Sequence, residues 1–116
     1  MNRIIAAYFN SMRGLRDALT TERAVRQELL LLAIALVLTP FLATSLSHAA
    51  LLLGVILLIL AVELLNTAIE KLSDHITPER NETIRYVKDL GSAAVFFALA
   101  FAAIVWIAAI VDHMTA

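Results

Sequence analysis

The sequence predicts an all-α membrane protein: three transmembrane helices preceded by an amphipathic helix in the membrane interface. Three observations carry that class. Of the 116 residues, 61% are hydrophobic and the mean hydropathy is +0.86, well above the near-half apolar share of a soluble domain. Charge is absent over two long stretches, residues 29–62 and 90–111. All nine Lys and Arg residues fall in two blocks, so the other connections carry none.

The first element is predicted over residues 1–27. Ile4, Ile5, Tyr8, Phe9, Met12, Leu15 and Leu19 recur at spacings of three and four, opposite Arg3, Asn10, Arg13 and Asp17. That is one apolar stripe on a basic helix, a pattern that favours the plane of the membrane surface. A secretory signal is not expected, because this segment has five Arg and no continuous apolar core.

The uncharged stretch 29–62 is too long for one crossing and suits two, at about 20 residues each. Pro40 and four Ser/Thr mark the break in TPFLATSLSH (39–48). The spans are therefore predicted at about 28–47 and 49–73. Residues 74–89 (DHITPERNETIRYVKD) read as a loop with frayed helix ends, and the third span as 90–112, closed by Asp112 and His113. The whole of 1–116 reads as one membrane-embedded domain. With basic residues in the N-terminal segment and in the second connection, the N-terminus is expected in the cytoplasm and the C-terminus outside.

Composition excludes several chemistries. There is no Cys, hence no disulfide, thiolate metal site or Cys nucleophile. A net charge of −1 and the lack of a basic block leave no case for nucleic acid. With only Gly14, Gly54 and Gly91, no GxxxxGK[ST] or GxGxxG loop exists. His48, His75 and His113 are scattered.

The chemistry-bearing residues gather at one boundary. On a helix, Glu63, Asn66, Thr67, Glu70 and Asp74 share one narrow arc. A carboxylate as deep as Glu63 costs about 2.5–3.5 kcal/mol on insertion scales and must face protein, water or a cation. Asn66 alone would be read as a helix-packing contact; the stripe as a whole reads as a site. TERAVRQE (21–28) brings Glu22, Arg26 and Glu28 to the same level, with Thr20 or Thr21 as a helix cap. KDLGSAA (88–94) opens the third span. Its Lys88 is placed to meet a phosphate, and Asp89 complements the dipole of a first turn. Gly91, Ser92, Ala93 and Ala94 permit close helix approach. Oxygen ligands from separate segments, without thiolate or clustered imidazole, select a hard cation, Mg2+ over zinc. Mg2+ beside Lys and Arg selects phosphate, and a desolvated carboxylate can act as general base on a hydroxyl at the interface. The competing reading from these residues alone is a small membrane protein whose Glu63 handles protons or ions.

ELLNTAIE (63–70), KDLGSAAV (88–95), TERAVRQE (21–28) and GLR (14–16) closely resemble the small integral-membrane diacylglycerol kinases of bacteria, over nearly the whole chain. The resemblance implies a homotrimer with sites shared between neighbours, and phosphorylation of diacylglycerol by MgATP at the inner membrane. It implies Glu63 as catalytic base with Asn66 beside it, and Glu22 with Glu70 as the carboxylates for Mg2+. Arg3, Asn10, Glu22, Glu70, Glu79, Arg80, Asn81, Lys88 and Asp89 would contact the nucleotide. Arg16, Arg26, Glu28, Glu63, Ser92 and Trp106 would face the lipid substrate. The chain departs from the family pattern at Asn10, often Tyr, and Asn81, commonly His. A sister branch phosphorylates undecaprenol with the same motifs. The GSAAV segment resembles the diacylglycerol branch more.

Overall fold

The computed structural model describes residues 2–116. Its elements are α1 (Asn2–Thr21), α2 (Arg23–Leu42), α3 (Leu46–Ile76) and α4 (Glu82–Thr115), with no strand among the described residues. Helices α2, α3 and α4 are each long and apolar enough to cross a bilayer. Helix α1 buries nothing and packs chiefly against the start of α2, as an interfacial helix does.

Small residues hold the three spans together. Ala35 of α2, Val55, Ile56 and Ile59 of α3, and Ala98 and Ala102 of α4 form the buried cluster, with Leu32, Val62, Val105 and Trp106 around it. The alanines let backbones approach, the means by which membrane helices gain dispersion energy when lipid is as apolar as the side chains. The outward residues, Leu57, Phe97 and Ile104 among them, are exposed and meet acyl chains. Trp106 donates its indole N–H to the Leu52 carbonyl at 3.0 Å, which satisfies its polar atom and ties α4 to α3.

The predicted start at residue 1 lies outside the described residues, and every other predicted boundary moves. The first helix ends at Thr21, not 27, because both Thr20 and Thr21 donate their hydroxyls to the Asp17 carbonyl at 2.8 and 3.0 Å. Neither caps α2; Glu22 takes the N-cap place, in extended conformation and without a side-chain bond. Arg26 reaches back across this junction to the Leu19 carbonyl at 2.9 Å, closing the end of α1.

Helix α2 starts at Arg23, not 28, and runs through Pro40 to Leu42, not 47. In the last turn, Pro40 removes only the bond its nitrogen would make to Leu36, so the helix outlasts it. Only residues 43–45 are non-helical between α2 and α3, not 39–48. Ser45 accepts from His48 N at 3.0 Å and His48 Nδ1 accepts from Thr44 N at 3.1 Å, a reciprocal cap that starts α3 three residues early. His48 is thus structural.

The largest correction concerns 74–89. The only non-helical residues there are 77–81, which contain Pro78. Asn81 accepts from Thr83 N and Ile84 N at 2.9 and 3.1 Å and starts α4 at Glu82, not 90. Glu82, Arg85 and Asp89 then form i,i+3 and i,i+4 ion pairs along it. Polar residues in water here make helix, not loop. Asp89 is consequently two turns inside α4, and Glu82 is the acidic residue of the first turn. At about 1.5 Å per residue, the 31 and 34 residues of α3 and α4 are roughly 46 and 51 Å long. Both exceed a ~30 Å hydrocarbon core, and the excess forms a rigid hairpin beyond the membrane.

Candidate functional site

The stripe on α3 meets a neighbour on each side. Glu63 and Asn66 are buried, while Glu70 is exposed at the water end. Asn66 donates from Nδ2 to Glu70 Oε1 at 2.9 Å. Its Oδ1 is buried without a hydrogen-bond partner and lies against Gly91 of α4, so closely that a Cβ there would overlap it. The carboxamide therefore has one orientation, amide toward the carboxylate and oxygen toward the glycine. That orientation is the chemically sound one, since the reverse would set two acceptors against each other.

On the α2 side, Glu28 is buried and its Oε2 has no partner. Glu28 and Glu63 lie close enough for their charges to interact, as do Glu63 and both Glu22 and Glu70. Glu63, at the membrane end of the stripe, thus feels the charges of Glu28, Glu70 and Glu22. Glu22 stands outside the spans. The neighbouring Thr21 hydroxyl, then Lys71 and Arg26, hold its carboxyl below the usual range, against a desolvation effect that raises it. The Thr21 hydroxyl also bonds Asp17, so Lys71, 3.4 Å away, is the cation that geometry assigns to Glu22.

Two water-facing clefts flank the stripe. One, of about 400 Å3, lies in the α3–α4 hairpin and is lined by Asp74, Glu79, Arg80, Asn81, Lys88 and Asp89. It gathers five of the residues expected at the nucleotide. Within it Lys88 Nζ is paired with Asp74 Oδ1 at 2.6 Å, and Asp89 with Arg85 at 2.7 Å. The second, of about 440 Å3, lies between α1 and α3 beside Glu22, Thr67 and Lys71. Glu22 and Lys88 thus border separate clefts, joined only through α3.

Other expected residues are more scattered. Arg3 and Asn10 are exposed on α1, and Asn10 accepts from Arg13 at 2.8 Å. Arg3 is 19 residues before Glu22, roughly 28 Å along a helix, and no contact brings it to the stripe. Arg16 borders a surface hollow with Phe9, Met12 and Arg13. Ser92 is exposed beside Gly91. Trp106 lines an apolar groove of about 320 Å3 with Leu31, Ile34, Leu38 and Leu99. The sequence pattern gives no site role to Lys71 or Arg85, and none to Asp74 beyond its place on the stripe. Asp74 was on the predicted stripe, and its charge opposite to Lys88 was the available signal.

Among the described residues no three carboxylates or imidazoles converge on a common metal position. Glu22 and Glu70 are hard oxygen donors, and Glu70 is already oriented by Asn66. That set fits Mg2+ carried in by phosphates, which takes one or two protein carboxylates and keeps its other ligands from phosphate and water.

The fold and this boundary site define a multi-pass membrane protein with an acidic, water-accessible site at one end of its spans. The chain matches the family model described as prokaryotic diacylglycerol kinase over residues 9–110. The diacylglycerol kinase of Haemophilus influenzae is 43% identical over 96 residues, covering 83% of this chain and 81% of the relative. That of Escherichia coli K12 is 39% identical over 111 residues, 96% and 91% of the two chains. That of Pseudomonas aeruginosa is 39% identical over 106 residues, 91% and 86%. The chain belongs to the prokaryotic diacylglycerol kinase family.

Proposed function

We propose that the protein transfers the γ-phosphoryl group of ATP to the free hydroxyl of diacylglycerol, yielding phosphatidic acid. The observation that carries this is the α3 stripe: a buried Glu63, an oriented Asn66 and a water-facing Glu70 on one helix face of a chain in this family. Glu63 accepts the hydroxyl proton as the lipid oxygen attacks. It is within a turn of Asn66, at the level where a glycerol headgroup meets the interface. Asn66 holds Glu70 in place. Glu22 and Glu70 would hold Mg2+ on the ATP phosphates, where the metal neutralises phosphate charge. Lys88 and Arg80 supply fixed positive charge in the hairpin cleft, and Glu79, Asn81 and Asp89 complete its polar lining. Phosphoryl transfer asks chiefly for positioning and charge neutralisation, and rigid helices supply both. Ser92, Arg16, Arg26 and Glu28 lie near the lipid headgroup in this reading, and Trp106 beside its chains.

The orientation follows the basic residues, with the hairpin and α1 at the cytoplasmic face of the bacterial inner membrane and the C-terminus outside. The active assembly is a homotrimer. The distance of Arg3 from the stripe of its own chain fits a site completed by a neighbour. Each relative named above is a diacylglycerol kinase, which favours that lipid over undecaprenol.

The test is an assay of purified protein in mixed micelles, with MgATP and either diacylglycerol or undecaprenol. Transfer to diacylglycerol is expected, and Glu63→Gln should lose nearly all turnover while keeping the wild-type unfolding temperature. Full activity in Glu63→Gln would remove the base assignment. Preference for undecaprenol would remove the lipid assignment, and no ATP use with either alcohol would leave an ion-handling protein.

A further inference from the structure

Lys71 has no part in the chemistry above, yet it holds a carboxylate on which that chemistry depends. Its Nζ lies 3.4 Å from Glu22 Oε2. It directly follows Glu70 on α3, so its stem leaves the backbone beside the second carboxylate of the same pair. Glu22 is the single non-helical residue between α1 and α2, with φ −113° and ψ 113°. The ion pair therefore crosses the cleft between α1 and α3 and ties the α1–α2 junction to the helix that carries the stripe. The two partners differ in freedom. The Lys71 side chain is 66% exposed and that of Glu22 only 20%, so the ammonium can leave for water while the carboxylate stays. Lys71 has a soft four-carbon stem and a point charge, which suits a partner that is exchanged.

Lys71 sits on Oε2 of Glu22, and a divalent cation shared by Glu22 and Glu70 would draw on the same carboxylate, so ammonium and metal compete for it through their like charges. The geometry points to Lys71 as the resting counter-ion of Glu22, a latch between the α1–α2 junction and α3 that competes with Mg2+-nucleotide for that carboxylate. This rests on the proposed assignment of Glu22 and Glu70 to the Mg2+ of MgATP. Lys71 is a positioning residue, acting through Glu22. Arg26 also faces Glu22, and its Nη1 is held by the Leu19 carbonyl at 2.9 Å, whereas Lys71 alone makes an ion pair with that carboxylate. The competition lowers apparent metal–nucleotide affinity by the factor an exposed ion pair carries, about two- to fivefold.

The experiment compares wild type, Lys71→Met and Lys71→Arg in detergent micelles. One readout is calorimetric binding of a non-hydrolysable ATP analogue over a series of Mg2+ concentrations. The other is the rate of trypsin cleavage after Arg23, the first residue of α2. Lys71→Met should bind the Mg2+-analogue about two- to fivefold more tightly. Its nucleotide-free form should be cut faster than nucleotide-free wild type, whereas Lys71→Arg, which keeps the cation, should be cut no faster and bind no more tightly than wild type. Weaker binding by Lys71→Met would make Lys71 a phosphate contact and overturn the latch, as would no change in either readout. If wild type itself binds no Mg2+-analogue, the assignment of Glu22 and Glu70 fails first, and the wild-type curve alone reveals it.

Discussion

Replacing Gly91 with Ala adds one carbon at the point where α4 passes Asn66. That carbon would overlap Asn66 Oδ1 and stand 3.3 Å from its Cγ. Helix backbone on both sides cannot retreat without dragging the alanine contacts at Ala98 and Ala102, so the carboxamide must rotate. Rotation breaks its 2.9 Å bond to Glu70. A hydrogen bond to a charged group is worth about 1.5–3 kcal/mol, and each ~1.4 kcal/mol is tenfold in rate. The expected loss in kcat/KM for MgATP is therefore about 10- to 100-fold. Overpacking adds a separate stability cost of about 1–3 kcal/mol. The assay is steady-state kinetics in mixed micelles with MgATP varied, beside thermal unfolding of the same preparation. Gly91→Ala with kcat/KM within twofold of wild type would refute the reasoning, for then the glycine does not hold the amide on Glu70.

Three further outcomes are expected. Asn81→Ala removes the cap bonds to Thr83 N and Ile84 N and should cost about 1 kcal/mol of stability, read as a lower unfolding temperature in micelles. Trp106→Phe loses the 3.0 Å bond to Leu52 and should cost about 0.5–1.5 kcal/mol, with diacylglycerol kinetics showing whether the groove beside it serves the acyl chains. Glu22→Gln and Glu70→Gln should each raise the Mg2+ concentration needed for half-maximal turnover, and chelation of Mg2+ should abolish activity; indifference of both variants to Mg2+ would remove the metal assignment.

Much of the architecture was legible because the bilayer imposes simple rules. Uncharged length set the number of spans, and the periodicity of 63, 66, 67, 70 and 74 turned five polar residues into one face. Helix ends were the weak point. Hydropathy marks where the membrane stops, not where the helix does, so the hairpin was read as a loop although Asn81, Glu82, Arg85 and Asp89 carry the cap and ion-pair pattern of a solvated helix. The junction at Glu22 depends on two threonine hydroxyls competing for one carbonyl and an arginine reaching back seven residues, which no window of hydropathy registers. The role of Lys71, and the partner that the small Gly91 admits so closely, emerge only through space. One needs the α1–α2 junction brought to α3, and the other needs the distance between α3 and α4.

Glu63, Asn66 and Glu70 are mounted on one unbroken helix, with no loop between them to absorb a change in spacing. A single residue inserted between Asn66 and Glu70 would turn Glu70 by about 100° and advance it by about 1.5 Å, out of reach of the amide. A four-residue insertion would restore the facing, about 6 Å further along the helix axis. The site therefore resists indels of any size, while the apolar residues between its polar ones remain open to substitution. Homologous kinases should diverge freely in the identity of intervening apolar residues and hardly at all in their number.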